Sequence, residues 1–151
     1  MTSTKRFQSA FVKKSTIIHT SSEEAWKTIS NITNLPDWIP IIKKTVLKSK
    51  IRKGVGAVRM ITLEDDSILE EHIVDWRKGD SFSYIAVSGL PVRAYFATLS
   101  IKRLDKKSVR LTWSGYISSR KMTIREFKKM IYDFNSLYKV SVRNLKSRLE
   151  R

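Results

Sequence analysis

The sequence predicts an α+β domain: a curved antiparallel sheet of about seven strands wrapped around one long C-terminal helix, with two short helices after the first strand. Three observations lead there. From residue 43 to 117 apolar and polar residues alternate with period two, interrupted by turn clusters every ten to fifteen residues. After Thr123 the period becomes helical, with apolar residues at Phe127, Ile131, Phe134, Tyr138, Val142, Leu145 and Leu149. Ahead of the alternating region, T-S-S-E-E-A-W-K-T-I-S interrupts two β-branched stretches with a helix start signal.

The first strand is expected over 10–19, A-F-V-K-K-S-T-I-I-H, and residues 1–9 read as a flexible N-terminus. Ser21 and Glu24 fit a capping box, opening a helix whose apolar side is Ala25, Trp26, Ile29 and Ile32. N-L-P-D-W-I-P (34–40) follows. Its two prolines bar a long helix or a central strand and leave a rigid corner or a single helical turn. Strands are then expected over 43–51, 57–64, 68–76, 81–88, 92–103 and 108–117, joined at K-G-V-G, D-D-S, R-K-G-D, G-L-P and L-D-K-K. Thr123 and Glu126 form a second capping box, and the helix that follows exceeds about 35 Å. The 151 residues suit one domain, 1–151, able to bury a core without covalent staples.

Composition excludes several chemistries. With no cysteine there is no disulfide, thiolate metal site or cysteine nucleophile. His19 and His72 are the only histidines, too few for a histidine-built metal centre. No Ser–His–Asp set, phosphate-cradling glycine loop or metal-ligand spacing occurs, and G-V-G is too short for a dinucleotide fingerprint. No metal or cofactor is therefore expected. Apolar runs are too short to span a membrane and no signal peptide is visible, so a cytoplasmic protein is the expectation. The net charge is +16, spread along the chain except in residues 61–80, where seven carboxylates face only Arg77 and Lys78. Such a surface suits weak contact with an anionic membrane or with nucleic acid, and equally serves solubility.

S-S-E-E-A-W-K-T-I-S (21–30), N-L-P-D-W-I-P (34–40), G-V-G-A-V-R (54–59), E-E-H-I-V-D-W (70–76), Tyr84, P-V-R-A-Y (91–95) and L-T-W-S-G (111–115) occur in that order. In that order they resemble the polyketide cyclase/dehydrase and lipid-transport branch of the START-like, helix-grip (SRPBCC) superfamily, from about residue 12 to the end. The resemblance implies a cavity between sheet and helix for a hydrophobic or aromatic ligand. It does not select an activity, because one fold hosts many.

Strand parity nominates the lining. Arg59, Ile61 and Leu63 share one face of their strand, as do Leu69, Glu71, Ile73 and Asp75 of the next. If the D-D-S turn sets Ile61 opposite Glu71, Arg59 pairs with Ile73 and Glu71 lies diagonal to it. An inward Arg59–Glu71 pair is either a register-pinning salt bridge or a polar anchor for a ligand; the catalytic residues are open, with these two as the candidates and a tyrosine as a further route for a proton. His72 has the opposite parity and points outward. Tyr84, Tyr95 and Trp113 could form aromatic walls with polar tips or simply a core. Phe127, Met130, Ile131, Phe134 and Tyr138 offer the helix side of the cavity. Trp38 is expected at the cavity mouth with Asp37 toward solvent, the rival being a Trp38 sealed in the core. Three functions are thus open: a binding protein for a hydrophobic small molecule, a cyclase, aromatase or dehydratase working in the same cavity, and a basic-surface binder of nucleic acid or anionic membrane.

Overall fold

The computed structural model describes residues 4–151. Its elements run β1 (Gln8–Ile18), α1 (Ser22–Ile29), a 3-10 turn (Leu35–Asp37), β2 (Ile42–Leu47), β3 (Val58–Leu63), β4 (Ile68–Arg77), β5 (Ser81–Ser88), β6 (Ala94–Asp105), β7 (Ser108–Ser119) and α2 (Ile124–Leu149). The seven strands form one antiparallel sheet in the order β1-β7-β6-β5-β4-β3-β2. The expected α+β helix-grip architecture is what the chain adopts. β2 to β7 are a meander of sequential neighbours, and β1 closes the far edge against β7.

Boundaries moved where pairing overrode local composition. Gln8 and Ser9, expected in the flexible N-terminus, pair with Ser119 and Ser118. The rest of that expectation falls in part on residues 1–3, which lie outside the described residues. β2 ends at Leu47 rather than 51, because Ser49 folds back. Its hydroxyl donates to Ile51 O and accepts from Val58 N, turning 48–57 into a loop.

Both helix starts are capped by side chains. Ser21 Oγ accepts from Glu24 N at 3.1 Å, while Thr123 and Glu126 form the full reciprocal box. α2 has 26 residues, about 39 Å at 1.5 Å per residue, and lies across the concave face nearest β1. Its inward stripe includes Phe127, Tyr138, Val142 and Leu145, all buried.

Two features set which side chains meet the helix. The β3–β4 connection is tighter than expected: Leu63 N donates to Ser67 O at 2.9 Å, Asp66 takes φ +68°, and Asp65 Oδ1 accepts from the Ser67 amide and hydroxyl. The register therefore sets Ile61 opposite Leu69 and Arg59 directly opposite Glu71, correcting the expected diagonal. In β4 a bulge at Val74 shifts the register between Ile73 and Asp75. Trp76 thereby takes the inward place against Phe82 and Trp26, and Asp75, expected inward, is left to pair with Arg77 near solvent.

Candidate functional site

A cavity of about 250 Å³ lies between the concave sheet and α2. Its walls are mostly aliphatic: Leu35, Ile39 and Ile42 from the segment around the 3-10 turn, Ile61, Leu63 and Leu69 from β3 and β4, and Leu137 from α2. The exposed Ile41 and Asp133, with the half-buried Leu90 and Phe134, border it toward solvent. The polar groups are few and gathered on the sheet: Arg59, Glu71, Tyr84 and Tyr95, with Tyr138 reaching them from α2. An apolar chamber with a small convergent set of polar atoms is the usual construction of a small-molecule site.

The direct register between β3 and β4 brings Arg59 and Glu71 together, 1 % and 3 % exposed. Arg59 Nη2 and Nε donate to Glu71 Oε1 at 2.8 and 3.0 Å, and Nη1 donates to Ile32 O at 2.9 Å. The guanidinium also lies 4.7 Å from the Tyr84 ring centre. Burial pushes the Glu71 carboxyl above its ordinary range, and the charge and hydrogen bonds of Arg59 pull it back without cancelling that rise. One Glu71 carboxylate oxygen thus holds the ion pair, and the other, Oε2, has no donor among the described residues.

Next to the ion pair runs a chain of hydroxyls. Trp113 Nε1 donates to Tyr84 Oη at 3.0 Å, Tyr84 Oη lies 3.3 Å from Tyr95 Oη, and Tyr95 is hydrogen-bonded to Tyr138. Desolvation raises all three phenol pKa values, so each keeps its proton at physiological pH. Three phenol protons serve two hydrogen bonds, so whichever way the chain is polarised one proton has no acceptor in it. Tyr138 is held by stacking on Trp113, with ring centres 3.7 Å apart and planes within 6°. Gly115 makes that possible, since a Cβ there would stand 2.5 Å from Tyr138 Oη.

The structure gathers Arg59, Glu71, Tyr84, Tyr95, Trp113 and Phe134 around the cavity and leaves four other candidates outside it. Phe127 is buried and Met130 and Ile131 are half-buried, packing against the core away from the chamber. Trp38 is 2 % exposed and sits behind Trp113, ring centres 5.3 Å apart, rather than at the mouth. α2 is the physical reason: Asn144 Nδ2 donates to Trp38 O, and Arg148 pairs with Asp37 at 3.1 Å, clamping the corner shut. Asp37 does lie toward solvent, and it is Leu35 and Ile39, not Trp38, that this segment sends into the cavity. Leu90 and Leu137 were missed as well. Leu137 lies three residues from Phe134, so the width of the helical stripe was its available signal; Leu90 sits in a turn and carries none. His72 points away from the cavity and bonds Glu70 at 2.7 Å. Among the described residues no acid and histidine cluster could hold a metal, and no helix is long and apolar enough to cross a membrane.

Solved structures share this architecture at low sequence identity. XoxI from Bacillus cereus superposes with a TM-score of 0.79 at 22% identity, covering 93% of this chain and 95% of its own. A START superfamily protein from Mycobacterium smegmatis gives 0.76 at 15% identity, over 93% and 97%. Norcoclaurine synthase from Thalictrum flavum, in complex with dopamine and hydroxybenzaldehyde, gives 0.71 at 15% identity, over 94% and 87%. No curated protein is significantly similar in sequence. The family model described as "Polyketide cyclase / dehydrase and lipid transport" matches residues 9–150, so the chain belongs to that family.

Proposed function

We propose that the protein binds a compact hydrophobic or aromatic molecule in the chamber between sheet and α2, with Arg59, Glu71 and the tyrosine hydroxyls orienting its polar end. The observation that carries this reading is the chamber itself: about 250 Å³, apolar on most sides, with an unpaired carboxylate oxygen and one unplaced phenol proton on its sheet side. A dry cavity of about 150 Å³ takes a benzene-sized guest, so this one suits a bicyclic or branched molecule, or the head of a longer one emerging past Ile41 and Leu90. The ligand's polar end would accept a hydrogen bond from a phenol and meet Glu71 Oε2, a demand that a hydroxyl group meets by accepting and donating, and that a carbonyl meets only where Glu71 carries the proton. Methyl NMR with labelled Ile and Leu tests it: titration with aromatic ketones, aromatic acids and fatty acids should shift Ile61, Leu69 and Leu137 first. Saturating shifts confined to surface methyls would remove the proposal.

A second reading is a cyclase- or dehydratase-type enzyme in the same chamber. It is favoured by one observation, a buried carboxyl at the cavity, Glu71, whose pKa burial raises, the direction that general acid–base chemistry uses. Norcoclaurine synthase, with two aromatic molecules bound, is an enzyme on this fold. Turnover lost on Glu71→Gln with ligand affinity retained would select this reading over simple binding.

A further inference from the structure

Alternation along a strand gives each strand a second face, and on β1, β7 and β6 that face is unusual. Phe11, Tyr116 and Phe96 are directly opposite one another in register, forming one aromatic row across three adjacent strands. Phe11 is 78% exposed and Phe96 42%, and the Phe11 and Tyr116 ring centres are 5.3 Å apart. With strands about 4.8 Å apart, the row is about 10 Å long. The next row along the strands is Lys13, Ser114 and Thr98, and further on Ile17, Arg110 and Lys102 align. At the other end Phe7 lies between the guanidiniums of Arg93 and Arg120, 5.7 and 5.4 Å from its ring centre. The outward positions of these three strands, 9–17, 94–102 and 110–118, hold no Asp or Glu, since the chain's acidic stretch is 61–80 on β3 and β4.

We propose that this outer sheet face docks single-stranded nucleic acid, with bases stacking on Phe11, Tyr116 and Phe96 and phosphates held by Lys13, Lys102 and Arg110. Every base has a π-face, so a row of exposed rings takes them with little regard to sequence, and a cationic border tracks the backbone. Charge complementarity selects the occupant. A second copy would set the same cations against themselves, each chain carrying +16. Hydroxyl-bearing rows beside the aromatics suit a sugar–phosphate chain better than lipid tails. Binding here leaves the cavity free, because Tyr95 points in where Phe96 points out.

Fluorescence anisotropy with short labelled oligo(U) and oligo(dT) at low salt tests the proposal. Phe11→Ala and Phe96→Ala should each weaken binding about 5- to 100-fold, and Phe11→Trp should preserve it. Lys13→Gln and Arg110→Gln should each lower the slope of log affinity against log salt by about one. Both phenylalanines are exposed, and circular dichroism verifies that the variants fold. No binding at low salt overturns the proposal. So does binding that follows the cations alone, with duplex held as tightly and both Phe→Ala variants unaffected. Binding of anionic vesicles without oligonucleotide, or a dimer abolished by Phe11→Ala without oligonucleotide binding, overturns it as well.

Discussion

Arg59 and Glu71 are direct cross-strand partners, sealed from solvent and joined at 2.8 Å, yet one oxygen of the carboxylate is left without a protein donor. The pair is therefore both a structural element and an unfinished one. Removing one partner strands a buried charge, so Arg59→Met should cost about 3–5 kcal/mol of stability, and the double change with Glu71→Met should cost clearly less. Urea denaturation of the two single variants and the double variant measures the coupling.

The raised pKa of Glu71 has a defined sign in stability. Between the ordinary value of 4.5 and the higher folded value, the native state holds more protons than the unfolded chain, so stability linked to this group falls as pH rises. The lowered carboxyls of Asp65, Glu70, Asp105, Glu126 and Glu150 act oppositely, adding stability above their unfolded values that is lost on acidification. Subtracting the stability of Glu71→Gln from that of the wild type isolates the one group. That difference should decline from about pH 4.5 upward, and a rise would contradict the raised pKa.

Gly115 is required by approach, not by backbone conformation. Its Cβ would collide with Tyr138 Oη, and the Tyr138 ring cannot slide away from Trp113 without losing its stack. Gly115→Ala should destabilise by about 1–3 kcal/mol, and by markedly less in a Tyr138→Phe background, where the offending oxygen is gone. Equal costs in both backgrounds would place the strain elsewhere.

Trp38 and Trp113 touch, but only Trp113 borders the main chamber. A ligand should therefore change tryptophan emission through Trp113. Trp113→Phe should remove most of the ligand-linked signal and Trp38→Phe should leave most of it, as read by steady-state fluorescence at ligand saturation.

The fold was legible because period-two alternation, a helical stripe and two caps all agree over most of the chain. The inward parity of Arg59, Glu71, Tyr84, Tyr95 and Trp113 was legible for the same reason, since one residue's shift would put every side chain of a strand on the wrong face. What escaped depends on geometry between elements. The register of β3 and β4 was set by Asp66 in the left-handed region, and the placement of Asp75 by a bulge with no composition signal. Trp38 was misplaced because its burial depends on Asn144 and Arg148, more than a hundred residues away. Phe127 and Ile131 share Phe134's stripe, but the cavity spans only part of the helix, and periodicity carries no information on where along a helix a gap opens.

Cavity occupancy is the most direct test of the account. Leu137→Trp would fill the chamber from the helix side, where Leu137 is half-buried and borders it. Native mass spectrometry of gently purified wild-type protein should show a hydrophobic adduct, or take one up from the best ligand of the NMR titration, and Leu137→Trp should lose it while remaining folded. An adduct retained equally by the filled variant, or none on either protein at saturating ligand, would contradict the claim that this chamber is the binding site.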